Sequence, residues 1–396
     1  MKNLNSRGMI AVVVLVLLPV WSHSLSMRDG MSRRGVMNSL AASSSSLILG
    51  TNHANAATGA VGDGSILKPA ANPGARAAYV GQTQVGDDDD WNPKTNIVTK
   101  LGMDRILNAK ELSGLSNSGF LGGDREVYYP DFLFGSWNVT STLKRKIYPY
   151  GTPYVYSSFV QGSPRNRREQ VGDSTTFESH YISTLANTMS NQMTVNLGLG
   201  VPKSKIIADR KFNALSLNQA YQHLIPLTDV LWDPSTDPTR LTLQFATMTK
   251  DLQPMGQRKG EVYLTSRQTE LTDDETSFCV AERSRTTSIA QGDVTVTDLE
   301  TITEYTLMND DDDDKNHVQA ISRIAVFLTP NPNSREGLLW QQVGGNAVAF
   351  FDYQLDMHRI LEPFDETIID NDTKQSKTIR TLRPCVTTYK DVRQCQ

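Results

Sequence analysis

The chain has 396 residues, a formal net charge of −4 from 39 basic and 43 acidic side chains, and three cysteines. Charge this close to balance argues against a nucleic-acid partner, and the cysteines form no C-x-x-C or Cys/His pattern, so no metal site is predicted.

In chain order, the first feature is the apolar run Ile10–Val20 (IAVVVLVLLPV) behind Lys2 and Arg7. It suits a signal-peptide core and falls short of the ~20 residues that a membrane-spanning helix needs. A second address follows, with Ser32-Arg33-Arg34-Gly35-Val36-Met37, the weakly apolar stretch Leu40–Leu49, and Ala54-Asn55-Ala56 ahead of Ala57. That is a twin-arginine pair, an apolar core and an A-x-A cleavage site. Two signals in series resemble the layered addresses of algae whose plastid came from a eukaryotic endosymbiont, such as diatoms. The resemblance implies a targeting leader over residues 1–56 and a mature protein in the thylakoid lumen of a secondary plastid.

Residues 57–96 are rich in Gly, Ala, Pro and Asp and read as a disordered leader. The uninterrupted runs Asp87–Asp90 and Asp310–Asp314 lack the spaced oxygens of a calcium loop and read as solvated acidic segments. Leu101, Ile106, Leu107, Leu112 and Leu115 recur at near-helical spacing and predict a short helix at the start of the main domain, 97–362.

Within that domain the organising stretch is Tyr128–Lys144. An aromatic segment around Pro130 turns at Gly135 into a strand with Trp137, Val139, Ser141 and Leu143 on one face and Asn138, Thr140 and Thr142 on the other. Trp137 is expected to be buried under an aromatic or Arg partner at the closed end of a barrel. The Tyr- and Phe-rich segment 148–162, broken by Pro149, Gly151 and Pro153, covers either a pocket mouth or the barrel wall.

Strands are predicted over Phe177–Leu185, Ser204–Phe212, Asp229–Asp233, Leu241–Met248, Glu261–Glu270, Phe278–Ile289, Thr295–Met308, Ala320–Leu328 and Ala347–Leu355. Turn residues separate them, and only Leu215–Leu224 looks helical among them. The pattern predicts an all-β fold, an antiparallel up-and-down β-barrel of about eight to ten strands with one or two short helices, and the Gly135-Ser136-Trp137 start of its first long strand resembles that of lipocalin-like barrels. An open sandwich is the alternative. Residues 363–396 read as a polar tail, dispensable for folding. Cys385 and Cys395 close a short loop there, and the spacing permits a disulfide without requiring one. Cys279 lies on an alternating strand as a small core or surface residue.

Four stretches together, YYPDFLFGSWNVTSTL, IIADRKFNALSLNQAY, ISRIAVFLTP and AFFDYQLDM, resemble an uncharacterised domain family of cyanobacteria and plastids, over roughly Tyr128–Met357. The resemblance implies a lumenal or periplasmic lipocalin-like protein of unknown function and brings no catalytic residues with it.

The residues themselves offer no enzyme constellation. His180, His223, His317 and His358 sit in no H-x-x-H or H-E-x-x-H motif, and no G-x-S-x-G or phosphate loop is present. No cofactor is predicted, and an enzyme is the least favoured reading. Asp209-Arg210 is the best polar candidate, either at a barrel mouth or facing opposite sides of a strand toward cross-strand partners. Ala347, Ala349, Phe351, Tyr353 and Leu355 share a strand face that tapers from small to large. With Trp137 and Arg210, the first four form the candidate site for an apolar lipid, quinone or pigment entering from the Ala347 end. The alternative partner is the thylakoid membrane or a photosynthetic complex, on which the protein would dock as an assembly factor.

Overall fold

Alternation of apolar and polar residues carries most of the described residues into a single antiparallel sheet. The computed structural model describes residues 76–85, 97–107, 126–155, 169–185, 191, 203–221, 226–247, 258–290, 293–308, 316–330, 335–369 and 376–396. The two addresses, both aspartate runs, Leu112 and Leu115, His223, and residues 156–162 of the Tyr-rich segment lie outside the described residues. The strands are β1 (Gln82–Val85), β2 (Gly135–Tyr148), β3 (Ser174–Leu185), β4 (Ser204–Ala208), β5 (Leu227–Asp233), β6 (Asp237–Phe245), β7 (Arg258–Leu271), β8 (Ser277–Ala290), β9 (Asp293–Leu307), β10 (His317–Phe327), β11 (Ala349–Ile369), β12 (Ser376–Thr387) and β13 (Arg393–Cys395). Among the described residues three short α-helices accompany them: α1 (Lys100–Gly102), which continues as a π-turn over Met103–Leu107, α2 (Arg210–Ala220) and α3 (Arg335–Val343).

The sheet runs β4-β3-β2-β11-β10-β9-β8-β7-β6-β5, with β1 added to β2 and β12 and β13 extending from β11. It is an up-and-down meander curled into a half-barrel. Full closure, expected from the sequence, is not what the strands do: among the described residues β4 and β5 do not pair. The reason is local. The strand expected over Ser204–Phe212 stops at Ala208, because the Asp209 carboxylate accepts from Phe212 N at 3.0 Å and caps α2. The free side of β4 is instead met by Tyr129, whose N–H donates to Ile206 O at 2.9 Å.

Both faces of the sheet are covered. The inner face packs Trp137, Val139, Leu143, Tyr181, Phe278, Tyr305, Val326 and Tyr353 into one cluster with Ala214 and Leu217 of α2 and Tyr221 just after it. On the outer face Cys279, Ala281, Ile302, Ile321, Ala325 and Phe350 meet Ile97, Leu101 and Ile106. Carboxylates hold that N-terminal cover in place. Glu304 accepts from Val98 N (2.6 Å), Thr99 N (3.1 Å) and Thr99 Oγ1 (2.8 Å), and Glu270 accepts from Leu101 N (2.7 Å). Negative charge at a helix start is favourable because the first N–H groups have no partner within the helix.

The segment after 362 departs from the expected polar tail. β11 continues to Ile369 and pairs with β12, and Cys385 and Cys395 are joined in a disulfide. This end docks on the half-barrel. Ser136 Oγ donates to Cys385 O (3.1 Å), Gln394 exchanges two 2.8 Å hydrogen bonds with the Ser183 backbone, and Tyr389 packs on Trp232 at 5.3 Å between ring centroids. No helix among the described residues is long and apolar enough to cross a membrane.

Candidate functional site

The interior of the curl has two halves of different chemistry. In the first, α2 begins at Arg210, directly after its capping Asp209, and this start sends the guanidinium inward. Arg210 is 2% exposed. Its Nη2 donates to Glu126 Oε1 (2.9 Å) and Glu282 Oε1 (2.7 Å), and its Nη1 to Glu282 Oε2 (3.3 Å). Burial pushes the Glu126 carboxyl up against the pull of Arg210. Burial also opposes the Arg210 charge, and Glu282 and Glu126 overcome it, holding the guanidinium well above its usual range.

Three tyrosines and Phe278 surround the triad. Tyr129 stands 5.0 Å from Tyr181, 5.5 Å from Phe278 and 6.3 Å from Tyr305, centroid to centroid. Tyr181 Oη donates to Tyr305 Oη at 3.2 Å. Burial raises all three phenols, Tyr181 to about 12, so they remain neutral and serve as packing rather than as bases. Beside them Trp137 is fully buried, donating from Nε1 to Leu133 O (2.8 Å) under the Arg359 guanidinium 4.6 Å above its ring. The burial and the Arg partner match the sequence expectation. Arg359 is directly across the ladder from Trp137 and is itself tied to Phe132 O.

The second half is built from small side chains. Alternation along β8 puts Ser284, Thr286 and Ser288 on the face of Phe278 and Val280. Their cross-strand neighbours include Val262 and Gly260 of β7 and Thr297 and Leu299 of β9. Ile324, Val326, Ala349 and Phe351 complete this lining, and Leu339 and Val343 of α3 pack into the same cluster. Thr286 Oγ1 and Ser288 Oγ are buried without a hydrogen-bond partner among the described residues.

The sequence-predicted residues therefore separate. Ala349, Phe351 and Tyr353 face the interior together with Trp137 and the Arg210 side chain. Ala347 does not join them. It precedes β11, is buried, and packs in the outer cluster beside Phe350 and Ile147. Asp209 and Arg210 are not strand neighbours on opposite faces, since both belong to the start of α2. Sequence reasoning missed Glu126 and Glu282. A signal for Glu282 was present, since it continues the inward phase of Phe278 and Val280 as the one charged member of that face. His180 faces outward, stacked on Phe212 at 3.4 Å, with Nε2 2.7 Å from Glu178. Among the described residues, one trio of side chains could hold a metal ion, His317, Asp356 and His358, on the outer face.

These features define a curled antiparallel sheet around a mixed interior, one half sealed by a charged aromatic cluster and the other lined by small residues. The chain belongs to the family described as a domain of unknown function (DUF6816), whose model matches residues 121–361. No curated protein and no solved structure matches it.

Proposed function

We propose that the protein is a non-catalytic binding protein of the thylakoid lumen, taking an apolar small molecule such as a lipid, quinone or pigment into the small-residue half of its interior. The observation that carries this reading is the pair of buried, unpartnered hydroxyls, Thr286 and Ser288, on a face otherwise made of Gly260, Ser284, Thr297, Ala349 and aliphatic side chains. A buried hydroxyl without a partner costs roughly 1–3 kcal/mol, which a ligand's oxygen or a water would recover. A ligand would sit against these small inward residues, with Phe351 and Tyr353 bounding it.

A second reading is favoured by the other half, which Tyr129, Tyr181, Tyr305 and the Arg210 triad fill. It makes the protein an assembly factor that docks on a photosynthetic complex with its interior occupied by its own side chains. Mass spectrometry of organic extracts from protein purified out of its own cells, with fluorescent fatty-acid titration of wild type and Ala349→Phe, separates the two. The binding reading expects a co-purifying apolar molecule and at least tenfold weaker probe binding in Ala349→Phe. An empty extract together with no probe binding would transfer support to docking.

A further inference from the structure

β10 starts at His317, and the β10–β11 register sets His317 directly opposite His358. Asp356 lies two residues before His358 and so shares its face. That face is the outer one, because Leu355 and Met357 point into the core. The two imidazoles stack at 4.6 Å with 7° between their planes. Both present Nε2 to one carboxylate, His317 at 2.7 Å from Oδ1 and His358 at 3.0 Å from Oδ2 of Asp356. The three ligand atoms lie within 4.8 Å of one another. Side-chain exposure is 20% for His317, 45% for Asp356 and 61% for His358.

We propose that His317, Asp356 and His358 form a binding site for a borderline divalent transition-metal ion of the Zn(II) or Cu(II) class. The donor set selects the class. Two imidazole nitrogens and one carboxylate oxygen suit zinc, copper or nickel, whereas calcium and magnesium take sites built from oxygen alone. Geometry allows it. Metal bonds of about 2.0–2.2 Å place tetrahedral ligand atoms roughly 3.3 Å apart. The two N···O separations need open by only a few tenths of an ångström, and the two nitrogens need close toward each other. Rotations of exposed side chains on a fixed ladder supply both movements. Water completes the coordination, and the ion clips β10 to β11 at a point where the partners are 41 residues apart in sequence, beyond the reach of any short spacing motif. Copper should bind more tightly than zinc, following the general order for nitrogen and oxygen sites.

The test is isothermal titration of the untagged protein with zinc and copper salts, alongside His317→Ala, His358→Ala, Asp356→Asn and a His223→Ala control. Circular dichroism of each variant establishes that it is folded. The expected result is one equivalent bound by the wild type and the control, with at least tenfold weaker binding in each of the three site variants. The Cu(II) paramagnetic resonance spectrum should show two nitrogen ligands in the wild type and one in either site-histidine variant. Wild-type affinity no greater than that of the folded site variants, or an unchanged nitrogen count in His317→Ala, would overturn the proposal.

Discussion

Trp137 and Gly102 show how single positions hold the two faces of this sheet. Trp137 is sealed from solvent on the inner face, bonded to Leu133 O and covered by Arg359. Truncating it to Ala leaves a large cavity and strands the guanidinium, so Trp137→Ala should cost about 3–5 kcal/mol. A thermal melt that coincides with the wild type would remove this residue from the core. Gly102 plays the matching part outside. A Cβ there would collide with Glu304 Oε2 and crowd Ile97 and Thr99, the atoms that fasten the N-terminal cover to β9. Gly102→Ala should therefore destabilise by roughly 1–3 kcal/mol, as overpacking does, and should raise hydrogen exchange at Val98 and Thr99. Trp137 could be read from alternation with Val139 and Leu143. Gly102 could not, because its constraint comes from a carboxylate more than two hundred residues away.

At the scale of elements, the strands were legible and their breaks were not. Period-two alternation marks β3 and β6 because one face of each meets the core and the other is largely polar. β10 reads as the continuous apolar run Ile324–Leu328 since both its faces are covered, one by the interior and the other by the 97–107 segment. The start of α2 was hidden inside IIADRKFN, which alternates as a strand would, although Asp209 three residues before Phe212 is an N-cap signature. Likewise α3 lay between Pro332 and Gly344-Gly345, punctuation that suggested only turns, while both glycines have positive φ and end the helix. The C-terminal element was concealed by its charge. Arg380 stays exposed and Arg383 half-buried over Phe364, while Cys385 and Val386 are buried against the half-barrel. A chain ending at Pro363 should accordingly lose several degrees of thermal stability, and an unchanged melt would show that β12 and β13 only rest on the sheet. Cys385→Ser with Cys395→Ser should cost about 2–3 kcal/mol, the loop-closure entropy of a ring of this size.

For the molecule as a whole, buried carboxylates set the response to pH. Glu126, Asp209, Glu300 and Glu304 all have their pKa raised, with burial the largest cause in each. The opposing donors are Arg210 for Glu126, the Phe212 N–H for Asp209, Arg105 for Glu300, and the Val98 and Thr99 N–H groups for Glu304. Unfolded, these groups return to ordinary values of 3.8 for Asp and 4.5 for Glu. Above those values the folded protein holds more protons than the unfolded chain. Their contribution to stability is therefore complete below the unfolded pKa and is lost as pH rises through the folded one. Glu261 works in the other direction. Burial opposes its charge, yet hydrogen bonds from Arg240, Lys259 and Thr242 prevail and bring it down to about 2. Its contribution is present above 4.5 and disappears as pH falls toward 2. The raised set therefore loses its contribution as pH rises above 3.8 to 4.5, whereas that of Glu261 is kept there. The melting temperature should fall as pH rises from 4.5 to 8. Glu300→Gln, which keeps an acceptor for Arg105 and removes a raised carboxyl, should flatten the fall above pH 4.5, and Glu261→Gln should flatten the fall below pH 4.5. A melting temperature that climbs steadily from pH 5.5 to pH 8 in the wild type would show that the buried carboxylates are ionised at little cost, and that Arg105, Arg210 and the helix N–H groups outweigh their desolvation.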